Sequence, residues 1–221
     1  MIAVPQFESM YMPATEAIAR RIIIAEGALH RVGADPNNPS SLGDCELAVL
    51  QLRLICELFL LGSTAAHLRE GGLNVSDSKW RPKDAFFELS KVNGHPLPFP
   101  IELQLNKNGK GEHHVVPKSQ PITYEALARI YGICGDLLHI PTIKQVTTGR
   151  LPEFDVTQLE RWLAGFREIA MAHALMLPER QVVLLCHWSG KVGELPEGFR
   201  LDAHGPSTLD VLSLPEFSLL Q

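Results

Sequence analysis

Cysteine is scarce in this sequence, and no two cysteines form a CxxC pair. The four cysteines are Cys45, Cys56, Cys134 and Cys186. Three of them fall in apolar runs, where free cysteine behaves as a small hydrophobic residue, so we expect no disulfide framework and a reducing compartment. HExxH and the Cys/His spacings of zinc sites are also missing, and adjacent His113 and His114 would point to opposite faces of a strand. We therefore predict neither a metal nor any other cofactor.

Basic charge and long apolar runs are lacking as well. Lys and Arg number 20 against 25 Asp and Glu, a net charge of −5, which argues against a protein that coats nucleic acid nonspecifically. The first residues do not combine a basic segment with an apolar one, so no secretory signal is predicted. The longest apolar stretch, residues 47–66, is interrupted by Gln51, Arg53 and Glu57, and such charges are costly in a bilayer. We expect a cytoplasmic protein without a transmembrane segment.

The stretch that dominates the sequence is residues 45–69, CELAVLQLRLICELFLLGSTAAHLR. At 100° per residue, four polar side chains fall on one line of this predicted helix, here called the polar line: Glu46, Arg53, Glu57 and Thr64. Nearly all other positions are apolar, and a helix that is apolar all round is buried. The polar line is therefore predicted to lie inside the protein or to face a cleft. It would be a structural ion-pair network, or a polar cleft in which Arg53 meets a ligand or a phosphate, with Glu46 beside it.

The remaining pattern predicts an α+β fold that is predominantly α, with a helical bundle core and one or two β-hairpins. We expect one domain over residues 1–221, with the helical core in 14–93 and 121–177. IELQL and HHVVP flank the turn NKNGKG and predict a hairpin over 101–117. RQVVLLCHW and FRLDAH predict a C-terminal hairpin over 181–204, followed by a tail at 205–221.

Asp136 and His139 lie three residues apart near the end of a helix predicted from Thr123 to the residue before Pro141. The negative end of the helix dipole favours a protonated His139. If this helix packs on the central one, His139 joins Arg53 and Glu57, which would place a general acid or base beside a charge clamp. The alternative is a histidine that only caps its helix.

The tip of the first hairpin carries Lys107 and Lys110 in a polar loop. The loop is either a solvated turn or a contact for phosphate or RNA. Gly109 and Gly111 do not lead from a strand into a helix, so they do not form a phosphate-binding loop of the nucleotide-binding type.

Taken together, LQLRLICELFLLGSTAAH and YGICGDLLHIP resemble an uncharacterised group of bacterial and phage-type proteins. More distantly they resemble HEPN domains, helical bundles that often act as metal-independent ribonucleases. Those enzymes carry an arginine, four to six residues, and then a histidine. His139 has no arginine at this spacing, whereas Arg167 with His173 matches on a helix predicted over 155–177. Arg180 with His187 matches too, but across a predicted strand start.

Three functions are compatible with these patterns. Net acidity and the incomplete motif favour a non-catalytic binding or interaction module, phage- or defence-associated, whose partner is another protein. A homodimer is also compatible with a leucine-rich helical core. The alternative is a HEPN-like ribonuclease acting on RNA through Arg53, Glu57 and His139, or through Arg167 and His173. The second alternative is a sensor whose polar cleft binds a small anionic ligand.

Overall fold

The structure is a computed structural model that describes residues 11–32, 38–70, 81–91, 96–105, 113–139, 147, 153–177, 182–191 and 193–202. Its longer helices are α1 (Met12–Arg31), α2 (Pro39–Glu70), α3 (Pro82–Leu89), α4 (Tyr124–Leu138) and α5 (Val156–Met171). Its strands are β1 (Phe99–Leu105), β2 (His113–Pro117), β3 (Ala172–Leu177), β4 (Val182–His187) and β5 (Glu197–Asp202). The predicted α+β fold with a predominance of helix is confirmed.

The central segment is one unbroken helix of 32 residues. It begins at Pro39, earlier than predicted, because proline is tolerated in the first turn of a helix and residues 39–44 therefore need not form a loop. α2 packs against α1, α4 and α5 and forms the middle of the bundle. None of the helices in the described part of the chain combines the length and apolar character needed to cross a membrane.

The bundle core is formed by the apolar stripes of these helices. Along α1, apolar side chains recur at helical spacing and are buried, namely Ile18, Ile22, Ala25 and Leu29. They meet buried residues of α2 such as Leu52 and Ile55 in one continuous cluster. Phe59 of α2 stacks on Phe166 of α5 with ring centroids 5.6 Å apart.

The five strands form a single antiparallel sheet in the order β2-β1-β3-β4-β5. Both predicted hairpins are present, as the pairs β1–β2 and β4–β5. The prediction of helix through residue 177 is wrong, since α5 ends at Met171 and the next six residues form β3. The ladder explains the change: Ala172 pairs with His187, and the Met171 carbonyl accepts from Trp188 N at 2.7 Å. β3 thereby joins the two hairpins into one sheet.

A second cluster attaches the helices to the sheet. Leu175 and Leu177 of β3 are fully buried, and they pack with Tyr11 and Met12 at the start of α1 and with Ala66 of α2. The C-terminal half of α2 therefore lies where α1 and the sheet meet.

Candidate functional site on helix α2

The polar line passes from the surface into the interior along α2. Glu46 is exposed, the side chains of Arg53 and Glu57 are 27% and 26% exposed, and Thr64 is 1% exposed. The line was expected inside the protein or facing a cleft: Thr64 is inside, Arg53 and Glu57 are half-buried, and the exposed Glu46 does not lie inside. α4 covers the line at Arg53, where Tyr131 contacts the guanidinium.

Arg53 is held by partners on both helices. Its Nε lies 3.4 Å from Glu57 Oε1, and its Nη2 donates to the Tyr131 hydroxyl at 3.3 Å. The guanidinium also lies 5.1 Å from the centroid of the Tyr131 ring, within the range of a cation–π contact. A Cβ at Gly135 would stand 3.5 Å from Arg53 Nη1, so the guanidinium packs closely on the α4 backbone. Arg53 therefore joins α2 to α4, and about a quarter of its side chain still meets solvent.

The helix that carries Asp136 packs on the central helix, which was the condition for His139 to join Arg53 and Glu57, since Arg53 lies against Tyr131 and Gly135 of α4. His139 is the residue that follows the last helical residue, and its backbone N–H donates to the Gly135 carbonyl at 3.1 Å. Asp136 and His139 are both exposed. His139 therefore stands at the solvent edge of the helix that covers Arg53.

Arg167 and His173 do not share a helix, so the expectation that they do is wrong. Arg167 lies in α5, where Nη1 contacts both Glu26 carboxylate oxygens at 2.7 and 2.9 Å and Nη2 donates to the Gly190 carbonyl at 3.3 Å. Its guanidinium also lies 5.5 Å from the centre of the Trp188 ring. These contacts tie α5 to α1 and to the segment after β4, and His173 is on β3.

His173 is a buried histidine with both ring nitrogens engaged. Nδ1 lies 2.9 Å from the Ile169 carbonyl, and because a carbonyl only accepts, Nδ1 carries the proton. Nε2 is then the acceptor for the Tyr11 hydroxyl, 2.9 Å away. Burial lowers the pKa of His173 to about 4. Both ring nitrogens of His173 are thus engaged within the protein, and His173 lies on a different element from Arg167.

Three buried polar side chains lie at the inner end of the polar line: Ser63, Thr64 and His67. Each is at most 1% exposed. Within the described part of the chain, Ser63 Oγ, Thr64 Oγ1 and His67 Nε2 have no hydrogen-bond partner. Sequence reasoning identified Thr64 alone. The available signal was the cluster GSTAAH at the end of an otherwise apolar run, but only the packing shows that all three side chains are enclosed.

A cleft of about 430 Å³ that the sequence did not indicate lies along the outer face of α1. The described residues that line it are Pro13, Glu16, Ala17, Arg20, Arg21 and Ile24. Glu16 lies 3.6 Å from Arg20, and Arg21 donates to Gln51 at 2.9 Å. The lining is thus partly apolar and partly cationic.

Some predicted residues lie outside the described part of the chain, namely Lys107 and Lys110 of the hairpin tip and Arg180. Across the described ranges, no group of three or more His, Cys, Asp or Glu side chains is placed to hold a metal ion. The four cysteines are buried thiols that form no disulfide with one another. Compared with known protein families, with curated proteins and with solved structures, the chain matches none of them.

Proposed function

We propose that this chain is a non-catalytic binding module of the cytoplasm that acts by contact with another protein. The supporting observation is the outer face of α2, where leucines are exposed on a helix whose other faces form the core. Leu50 is 41% and Leu61 43% exposed, and they lie within about 20° of each other around the helix axis. Leu42, about 80° from Leu50 around the axis, is 38% exposed near the start of the same helix. Exposed apolar side chains repeated along one helix are a common basis of helix-mediated recognition.

The state of the candidate catalytic groups supports the same proposal. Arg167 is occupied by Glu26 and Gly190, His173 is neutral and enclosed, and Arg53 is held by Glu57 and Tyr131. Each of these groups joins two elements of the fold. Their polar contacts are accounted for by the architecture without a substrate.

The test is a loss of binding on the outer face of α2. A Leu50→Ser, Leu61→Ser double variant should lose a partner that the wild-type protein retains through purification, once that partner has been identified, purified and rebound. Leu195→Ser is the matched control, because Leu195 is 52% exposed but lies in the connection before β5. Equal affinity of the double variant and the wild type would contradict the proposal. Light scattering during gel filtration shows whether the partner is a second copy of the chain.

A metal-independent ribonuclease of the HEPN type, using Arg53, Glu57 and His139, is the alternative. It is supported by the packing of α4 on Arg53, with His139 one turn beyond Gly135. It requires RNA cleavage in EDTA that disappears in His139→Ala and persists in His187→Ala, a change at another exposed histidine. The binding module predicts that the wild-type protein leaves RNA intact under the same conditions.

A sensor of a small anion is the second alternative, and the cationic part of the α1 cleft supports it. Its volume lies in the range of small-molecule pockets. Inorganic phosphate would then raise the melting temperature of the wild type and not of Arg20→Gln. The binding module predicts no shift.

A further inference from the structure

The inner end of the polar line has the character of a binding site for a small guest, independently of the proposed function. Ser63, Thr64 and His67 occupy helix positions i, i+1 and i+4, which lie within an arc of about 100°. His67 places one part of this arc beside the segment that enters β1, since its ring bonds the backbone of Pro96. On other faces of the same end of α2, a Cβ at Gly62 would be 3.2 Å from Ala14 Cβ of α1, and Ala66 packs in the cluster with the sheet. The three polar side chains thus lie at the end of α2 that is surrounded by α1, the sheet and the segment before β1, here called the junction.

The hydrogen bonding at this junction is unevenly satisfied. Nearby buried groups have partners: the Tyr11 hydroxyl bonds His173, and the Thr15 hydroxyl donates to the Met12 carbonyl at 2.8 Å. Ser63 Oγ, Thr64 Oγ1 and His67 Nε2 have none among the described residues. Polar groups withdrawn from water without a partner are rare in folded proteins, because each loses its hydration without compensation. Three of them within five consecutive residues point to a missing shared partner.

The state of the His67 ring defines what that partner must offer. The ring bonds the backbone of Pro96, and proline has only a carbonyl to offer, so Nδ1 donates and carries the proton. Nε2 then presents a lone pair. Burial lowers the pKa of His67, partly offset by this bond, so the ring is neutral near pH 7. A partner must donate to Nε2, while the Ser63 and Thr64 hydroxyls can either donate or accept.

We propose that a small, neutral hydroxyl group occupies the junction and bridges Ser63, Thr64 and His67. A hydroxyl donates one proton, which His67 Nε2 accepts, and its oxygen accepts from the two side-chain hydroxyls. A charged guest does not fit, because the three groups are neutral and the cost of burying an unpaired ion is large. The hydroxyl is supplied by an ordered water molecule or by a bound alcohol or polyol.

Replacing Thr64 with valine tests whether the junction is occupied, since the change exchanges a hydroxyl for a methyl group of similar size. With a guest present, Thr64→Val lowers the melting temperature, because the guest loses a partner. Thr15→Val is the matched control. Its buried hydroxyl has a partner in the chain, so this variant shows the fall in melting temperature that follows the loss of a hydrogen-bonded hydroxyl. A rise in melting temperature for Thr64→Val overturns the proposal, because it shows the removal of a hydroxyl that had no partner. Should Thr64→Val fail to fold, Ser63→Ala is expected to respond with the same sign.

The source of the hydroxyl is separated by two measurements on the purified wild-type protein. A bound water gives nuclear Overhauser effects between water and the His67 ring protons, with no added mass in the native mass spectrum. A bound alcohol gives an added mass that is absent from His67→Phe, and glycerol serves as the probe for readdition. Either result supports the site. The absence of both overturns it.

Discussion

At the scale of single residues, the buried histidine His173 links the stability of the fold to pH. Its pKa of about 4 lies below the value near 6.5 of an unfolded chain, so the unfolded state takes up the proton first. The contribution of His173 is complete above pH 6.5 and is lost as the pH falls towards 4. The expected loss of unfolding free energy is about 3 kcal/mol. Burial of His67 acts in the same direction.

Urea denaturation of the wild type at pH 7 and pH 4.5 measures this loss. His173→Phe should be less stable than the wild type at pH 7, because the Tyr11 hydroxyl loses its hydrogen-bond partner. Its free energy of unfolding should differ less between the two pH values. His139→Gln, at an exposed position, should retain the wild-type difference. An unchanged pH dependence in His173→Phe would contradict the assignment of His173 as a neutral buried ring.

Two glycines with positive φ give a second prediction for single residues. Gly190 has φ +76° and Gly193 has φ +87°. Gly193→Ala should cost about 1–2 kcal/mol for the left-handed backbone alone, since a Cβ there meets no described atom within 4 Å. Gly190→Ala should cost about 1 kcal/mol more, because its Cβ would stand 2.8 Å from Arg167 Nη2 and displace the guanidinium. Urea midpoints of the two variants test this order. An equal loss of stability in both would show that the Arg167 guanidinium moves aside without destabilising the fold.

At the scale of the element, the two faces of α2 should respond differently to truncation. Leu52 is fully buried in the bundle core, so Leu52→Ala should cost about 2–5 kcal/mol through lost contacts and a cavity. Leu50, two residues earlier and 41% exposed, should cost less than about 1 kcal/mol when changed to alanine. Chemical denaturation of both variants provides the measurement. A large cost at Leu50 would mean that this side chain serves the fold and would remove it from the proposed binding face.

Local sequence predicted the elements that have local signals. The α1 stripe follows from helical spacing, and the cap of α4 follows from Thr123, whose hydroxyl accepts from Ala126 N at 3.2 Å. The two hairpins follow from alternation and turn residues. β3 has no such signal. No glycine or proline marks the boundary between Met171 and Ala172, and the sequence AHALML is as compatible with a helix as with a strand. Its strand form depends on pairing with β1 and β4.

The candidate site was less predictable, because its chemistry depends on partners that are remote in the chain. The sequence placed His173 on a helix as a candidate catalytic residue. Its partner Tyr11 lies 162 positions away in the chain, so the hydrogen bond between them could not be predicted. The polar line was visible from periodicity, but its passage from exposed Glu46 to buried Thr64 depends on which elements pack on each part of α2. Helical spacing gives a direction around the axis and not the depth of burial along it.

At the scale of the whole molecule, the cluster around Leu175 predicts that helices and sheet unfold together. Leu175 is fully buried among residues of α1, α2 and β4. Leu175→Ala should therefore lower the urea midpoint equally whether followed by helical circular dichroism or by tryptophan fluorescence, with a cost of about 2–5 kcal/mol. Separate midpoints from the two signals would show that bundle and sheet are independent units.

Because all four thiols are buried, their reactivity can be used to measure local opening of the fold. Burial raises the pKa of each of them, to about 12 for Cys134 and about 11 for Cys186, so that the reactive thiolate is suppressed while the fold is closed. Cys45 and Cys56 lie about three turns apart on α2, Cys134 lies in α4 and Cys186 lies in β4. An alkylating reagent would therefore mark each site only when its own part of the chain opens. The four cysteines are therefore native probes of local opening. Their separate alkylation rates would give the order in which different parts of the fold open.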